Sequence, residues 1–259
     1  FIGMSSKRLP DDVYAKLKEC GEKEDSDIQK VIYNAYFENL DMAGKLSRPC
    51  CQDTGLLHFY IKMGTGFAYQ GMVADCLREA THNATYSAPL RQNTVNYFEE
   101  RNTNDNTGER MPWINWDIVP DNDDLEIITY FAGGGCCLPG RSQVFKPSDG
   151  YAAIIRYVFD AVSDLGINAC PPLIVGVGLG HNAENAALLS KKAYLRPLGT
   201  SHPHPKGAQL EQDLLEGLNK LGIGAQGLRG NCAAMEVHIE SSARHTATIA
   251  IGVNVACYA

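Results

Sequence analysis

The sequence has nine cysteines but no Cys-x-x-Cys pair. This absence argues against a zinc ribbon, a thioredoxin-like redox motif and a ferredoxin, because the cysteines of those sites come closely spaced. No apolar run approaches the length of a membrane span. The formal net charge of -7 argues against a broad surface for nucleic acid or acidic membranes. Internal repeats and low-complexity linkers are also missing, so nothing in the sequence marks a domain boundary.

The cysteines are expected to be free thiols. Their number is odd, and a chain of 259 residues can bury enough core to fold without disulfides. We therefore expect a reduced, cytoplasmic protein. If a metal cluster is present, its cysteine ligands must lie far apart in the sequence.

Helical and strand patterns alternate along the whole chain. They predict one mixed α/β (α+β) domain over residues 1–259, with an irregular sheet flanked by helices. Strands are predicted over 56–62 and 173–180, and helices over 70–84, 91–101 and 182–195. The segment 48–55 enters the first of these strands, so its side chains are expected at the edge of a sheet.

The segment 48–55 combines two thiols, an amide, a carboxylate and a turn glycine. Thiolate sulfur suits zinc, copper and iron–sulfur clusters. Gln52 and Asp53 could hydrogen-bond and move protons, and Gly55 allows the tight turn that would aim them together. The alternative is a reverse turn with two buried thiols, and these eight residues alone leave both interpretations open.

Cysteines also stand at two other strand ends, in the segments 168–172 and 254–258. Side chains from separate elements can converge at such places. Three cysteines can hold a four-iron, four-sulfur cluster by three corners, which leaves one iron open as a Lewis acid. Each cysteine taken singly is more commonly a buried structural thiol.

Other stretches could bind an anion. The glycines at 133–135 could form a nest of amides or a flexible turn, and Arg91 could clamp a carboxylate or be a surface charge. Gly178 and Gly180 match a dinucleotide fingerprint, but no acid follows at the spacing that binds a ribose. We expect these two glycines to let a helix pack closely on its strand instead.

Taken together, these stretches resemble the class I fumarase and L(+)-tartrate dehydratase family of iron–sulfur hydro-lyases. The resemblance covers essentially the whole chain, and its fold would be the N-terminal, cluster-binding domain of class I fumarases. It is carried by long, uncommon strings in the family's order: 48–55, 111–124, 132–142, 168–172 and 239–245.

The resemblance implies a site residue by residue. The ligands of a 4Fe-4S cluster with one open iron would be Cys51, Cys170 and Cys257, and Cys50 would be only the neighbour of the first. The catalytic pair would be Asp53 and His245. The implied substrate contacts are Gln52, Asp53, Arg91, Gly133, Gly134 and Gly135, with Gly134 the best single choice among the glycines.

The resemblance also implies a reaction and a partner. The chain would be the alpha subunit of an enzyme that dehydrates a C4 2-hydroxy dicarboxylate. The continuation after the glycine run favours L(+)-tartrate over malate and fumarate, which remain the alternative. The second half of the site would come from a separate beta subunit in an alpha2beta2 assembly. A non-catalytic iron–sulfur protein and a nucleotide-dependent oxidoreductase are the hypotheses from other classes.

Overall fold

A computed structural model describes residues 1–259, which fold into two compact units. The first unit comprises Phe1–Leu9, Glu38–Gly134 and Ala259, and the second comprises Pro10–Phe37 and Gly135–Tyr258. The helices are α1 Ile2–Ser5, α2 Asp11–Glu22, α3 Asp27–Leu46, α4 Val73–Ser87, α5 Gly134–Cys137, α6 Gly150–Leu165, α7 Ala183–Tyr194 and α8 Pro205–Asn219. The strands are β1 Leu56–Gly64, β2 Val95–Asn96, β3 Arg101–Asn102, β4 Trp113–Val119, β5 Leu125–Ala132, β6 Arg141–Phe145, β7 Leu173–Gly180, β8 Ala234–Ser241 and β9 Ile249–Ala256.

The expected mixture of helices and strands is confirmed. The strands do not form one irregular sheet, however. They form a three-stranded sheet and a two-stranded hairpin in the first unit, and a four-stranded sheet in the second.

The sheet of the first unit has the order β4-β1-β5, with β1 parallel to β4 and antiparallel to β5. Alternate side chains of β1 are buried against α4, namely Leu57, Phe59, Ile61 and Met63. This two-residue period is what a strand with one core face requires. Each such side chain contributes about 1.5–3 kcal/mol by its burial, so β1 is firmly held where it leaves the segment 48–55.

The helix predicted over 91–101 is wrong. This segment forms the β2–β3 hairpin, with Val95 opposite Asn102. The side chain of Asn106 accepts the amide of Asn93 at 2.7 Å and donates to the carbonyl of Arg91 at 2.9 Å. A side chain that takes up backbone groups in this way offers the chain an alternative to helical hydrogen bonds.

The sheet of the second unit has the order β6-β9-β7-β8. The odd residues of β7, such as Val175 and Val177, face a core built with α6 and α8. On the other face, Gly176, Gly178 and Gly180 lie against α7. A Cβ added to Gly178 would collide with the carbonyl oxygen of Ala186. The expectation that these glycines allow close packing of a helix on its strand is therefore confirmed.

The expectation that all nine cysteines are free is wrong at one pair. Cys20 and Cys232, both buried, form a disulfide with their Cα atoms 5.8 Å apart. A separation of 212 residues gives no local signal of such a pair. The other seven cysteines form no disulfide.

Every helix is too short or too polar to span a lipid bilayer.

His238 is a fully buried histidine in β8, and neither of its ring nitrogens makes a hydrogen bond of normal geometry. Burial lowers the pKa of His238, and the positive charge of Arg196 lowers it further, whereas the carboxylates of Glu236 and Glu211 oppose the shift. The folded protein therefore holds this ring neutral more strongly than the unfolded chain does.

We expect His238 to make the protein less stable in acid. The unfolded chain takes up a proton near pH 6.5, whereas the folded chain does so only at lower pH, so stability is lost as pH falls below about 6.5. The loss should approach about 1.4 kcal/mol per pH unit. Urea unfolding between pH 8 and pH 5 should show this slope, and it should shrink in His238→Leu but not in the exposed control His181→Leu. Equal slopes in all three proteins would contradict the prediction.

Candidate active site

The segment 48–55 places its two thiols differently within the first unit. Cys50 is buried, its amide donates to the carbonyl of Ser6 at 2.9 Å, and its carbonyl accepts from Asn39 at 2.7 Å. Cys51 is half-buried, and Gln52, which follows it, is exposed. The geometry therefore makes Cys50 part of the unit's packing and leaves Cys51 the more accessible of the two thiols.

Asp53 is the most firmly held side chain of this segment. Its Oδ1 accepts from the amide of Gly55 at 3.0 Å and from Nδ2 of Asn93 at 2.9 Å. Its Oδ2 accepts from the amide of Gly134 at 2.8 Å. Three donors aimed at one carboxylate hold it in a single orientation. Asp53 thus ties three chain segments of the first unit together.

Arg91 is held through its backbone. Its amide donates to Oγ1 of Thr54 at 2.9 Å, and its carbonyl accepts from Nδ2 of Asn106 at 2.9 Å. The side chain itself is exposed. A guanidinium on an anchored backbone segment next to Asp53's own loop can bind a carboxylate in bidentate fashion.

The predicted anion nest at the glycine run is partly occupied. The amide of Gly134, the best single choice of the sequence interpretation, donates to Asp53. Gly135 has a packing role in the second unit, because a Cβ there would collide with the carbonyl oxygen of Asn168. These two glycines therefore shape the turn, and Gly133, which is half-buried, precedes them.

Two predicted ligands lie near the same tyrosine in the second unit. The hydroxyl of Tyr36 donates to the carbonyl of Pro171 at 3.1 Å, and its ring packs on Tyr258 with centroids 4.6 Å apart. Burial, helped by the charges of the Cys170 and Cys257 thiolates, raises the pKa of Tyr36 to about 12. Tyr36 therefore stays protonated and donates to the carbonyl of Pro171, the residue after Cys170. The sequence interpretation did not single it out.

Cys136 belongs to the same group of thiols. Hydrogen bonds from Cys257, from its side chain first, lower the pKa of the buried Cys136 thiol. Burial opposes this shift, as do the charges of Cys137 and Cys170. The sequence interpretation passed over Cys136, although its place directly after the three glycines was a usable signal.

Cys170 has an unusual backbone. It is exposed, and its φ of +53° lies in the left-handed region, directly after the short 3-10 turn Gly166–Ala169. A non-glycine residue in this region carries strain, which is found mainly at functional sites.

His245 lies in an exposed loop that follows β8. Its Nδ1 accepts from the amide of Ala247 at 3.1 Å, so the neutral ring carries its proton on Nε2. The guanidinium of Arg244 closes the loop by donating to the carbonyls of His245 and Thr248 at 3.0 and 3.1 Å. His245 is thus presented as a hydrogen-bond donor.

No group of three or more His, Cys, Asp or Glu side chains in the structure is arranged to hold a metal ion. The donor chemistry nevertheless fits a soft metal centre. Cys170 and Cys257 in the second unit, and Cys51 in the first, form no disulfide, and thiolates are the ligands that iron–sulfur clusters prefer.

Comparison with known proteins gives a consistent result over the full length. The family model described as fumarate hydratase (Fumerase) matches residues 1–259. The chain is 52% identical, over 100% of its length and 86% of the relative's, to the L(+)-tartrate dehydratase subunit alpha of Escherichia coli strain K12. It is 37% identical, over 97% of its length and 89% of the relative's, to a putative L(+)-tartrate dehydratase subunit alpha of Methanocaldococcus jannaschii.

Proposed function

Because this chain belongs to the fumarate hydratase (Fumerase) family, and is thus a hydro-lyase, we propose that it is the alpha subunit of an enzyme that dehydrates L(+)-tartrate to oxaloacetate. The observation that carries this proposal is the 52% identity, over every residue of the chain, to relatives named L(+)-tartrate dehydratase subunit alpha. The firmly held Asp53 and the exposed guanidinium of Arg91 support it, since a dicarboxylate needs both an oriented polar group and a cation.

The proposed cofactor is a 4Fe-4S cluster. Cys51, Cys170 and Cys257 would hold it, with Cys136 and Tyr36 as neighbours of the two thiols in the second unit. When bound, such a cluster supplies one open iron as a Lewis acid for the leaving hydroxyl.

The residues of the chain do the remaining work of the dehydration. Arg91 and Gln52 bind the substrate carboxylates, and Gly133, Gly134 and Gly135 shape the turn beside them. Charge grows on a carboxylate as the α-proton leaves, and a fixed guanidinium stabilises that charge without reorganisation. The substrate contacts thus serve both binding and the transition state.

Asp53 and His245 handle the proton of the leaving group. Water leaves only if the departing hydroxyl gains a proton, because hydroxide is a poor leaving group. Asp53 orients that hydroxyl and passes it the proton, and His245 supports this step as a hydrogen-bond donor through Nε2–H, the nitrogen that its loop leaves free of the Ala247 amide. Loss of water from tartrate then gives the enol of oxaloacetate, whereas the same step on malate would give fumarate.

The proposal includes a partner. The relatives are named subunit alpha, and we propose that a beta subunit brings the base for the α-proton and completes an alpha2beta2 assembly. Residues 1–259 would form the cluster-binding domain of that enzyme. A reducing, cytoplasmic location is supported by the seven cysteines that form no disulfide, although Cys20 and Cys232 do form one.

Two alternatives remain in view. Class I fumarate hydratase is supported by the family model itself, whose description names fumarate hydratase. A non-catalytic iron–sulfur protein would hold a cluster without turnover, but it would have no need for the carboxylate-binding set of Gln52, Asp53 and Arg91.

The test uses the protein purified without oxygen together with its beta subunit. We expect about four irons and about four acid-labile sulfides per alpha chain, as a 4Fe-4S cluster requires. The assembled enzyme should dehydrate L(+)-tartrate faster than it hydrates fumarate. A preference for fumarate would favour the first alternative, turnover of neither substrate by the iron-loaded protein would favour the second, and absence of iron after reconstitution would contradict the cluster.

A further inference from the structure

We propose that Asn93 is a positioning residue for the dehydration. Asn93 fixes the Asp53 carboxylate so that one defined oxygen faces the substrate. Asn106 in turn holds Asn93. This inference rests on the proposed function for its catalytic consequence, whereas the hydrogen bonds that carry it belong to the first unit alone.

The two oxygens of Asp53 are not equivalent. Oδ1 receives two hydrogen bonds, from the amide of Gly55 at 3.0 Å and from Nδ2 of Asn93 at 2.9 Å. Oδ2 receives one, from the amide of Gly134 at 2.8 Å. A carboxylate oxygen has two acceptor positions, so Oδ1 is saturated and Oδ2 keeps one position. The substrate hydroxyl is therefore expected to meet Oδ2.

The Asn93 amide can adopt only one orientation. Its Nδ2 donates both to Asp53 and, at 3.1 Å, to the carbonyl of Gly55. Both partners are acceptors only, so the reversed amide would place its oxygen against two oxygens. Asn93 thus clamps the Asp53 side chain and the backbone of its turn at the same time.

Asn106 connects Asn93 to helix α4 by hydrogen bonds. It is buried, with 2% of its surface exposed. Its Oδ1 accepts the amide of Asn93 at 2.7 Å, and its Nδ2 donates to the carbonyl of Arg91 at 2.9 Å and to Oγ1 of Thr85 in α4 at 3.1 Å. Because both polar atoms of the buried Asn106 side chain are used, Asp53 and the Arg91 backbone share one support.

The decisive variants are Asn93→Asp and Asn93→Ala in the assembled enzyme with its beta subunit. Asn93→Asp keeps the shape and removes both donors, and Asn96→Asp is the matched control, since Asn96 is exposed in the same hairpin. We expect kcat to fall about 30–100-fold in both Asn93 variants, as for outer-shell partners elsewhere. KM should stay within about threefold of the original, because Arg91 and Gln52 still bind the substrate.

A double-mutant cycle separates positioning from general damage. If Asn93 acts through Asp53, Asn93→Ala should lower kcat by less than about threefold in an Asp53→Asn background, because coupled residues are not additive. An equal fall in kcat in both backgrounds, or a rise in KM that matches the fall in kcat/KM, would overturn the proposal.

Hydrogen exchange provides a readout that does not require activity. In Asn93→Asp, peptides that cover 53–55 and 134 should exchange faster than in Asn96→Asp, because the carboxylate no longer holds their amides in one geometry. Equal exchange would overturn the positioning role. Faster exchange in a protein that turns over no dicarboxylate would retain the clamp and reject only the proposed function.

Discussion

Serine in place of Cys51, Cys170 or Cys257 is expected to remove bound iron and to lower turnover by at least about 10³-fold. A Lewis acid contributes several kcal/mol to the stabilisation of the leaving group, and every 1.36 kcal/mol corresponds to about tenfold in rate. A serine hydroxyl is a poor ligand for iron that prefers sulfur. Iron and sulfide content and visible absorption measure the loss of the cluster, and activity with the beta subunit measures the loss of turnover.

The structure decides which cysteines serve as controls for this experiment. Cys76 is exposed on α4, so Cys76→Ser should keep both iron and activity. Cys50→Ser tests which of the two adjacent thiols is the ligand. This variant should keep iron even if the loss of the buried Cys50 thiol destabilises the protein. Cys20 is unsuitable as a control, because it forms a disulfide with Cys232. Full activity in the triple serine variant, which lacks Cys51, Cys170 and Cys257, would contradict the proposed cluster.

Local patterns were sufficient for much of the fold. The buried strand over 173–180 and the helix that follows it are confirmed at β7 and α7, with Asn182 as the N-cap that accepts from the amide of Asn185. Hydrophobic periodicity and capping act over a few residues, so one sequence contains them. The same holds for the segment 48–55, whose turn before β1 could be read from Gly55, a residue with a φ of +69°.

Features that depend on distant partners could not be predicted. The segment 91–101 has a helical pattern, but Asn106 and Thr54 bind its backbone from outside and override that preference. Asn93 lay inside this predicted helix, and nothing in the sequence marked its role, because its acceptor on Asp53 is 40 positions away. The contact of Tyr36 with the carbonyl of Pro171, next to Cys170, could not be predicted for the same reason.

Helix α7 packs very closely on the sheet of the second unit. Gly176, Gly178 and Gly252 form this contact, and a Cβ on any of them would collide with a backbone carbonyl oxygen of Ser190 or Ala186. Backbone atoms inside a regular helix cannot turn aside as a flexible side chain can. An added methyl group must therefore move α7 as a body or break its hydrogen bonds.

Gly178→Ala is accordingly expected to lower the free energy of unfolding by about 3 kcal/mol or more, the upper end for overpacked cores. The matched control is Gly44→Ala, which adds the same methyl group inside α3 where no heavy atom lies within 4 Å. That change should raise stability by about 0.5–1 kcal/mol, because alanine loses less backbone entropy than glycine in a helix. Urea unfolding of both variants measures the difference. A Gly178→Ala protein as stable as the original would mean that α7 can lift from the sheet without loss, and that the close approach of helix and strand is not what holds the second unit together.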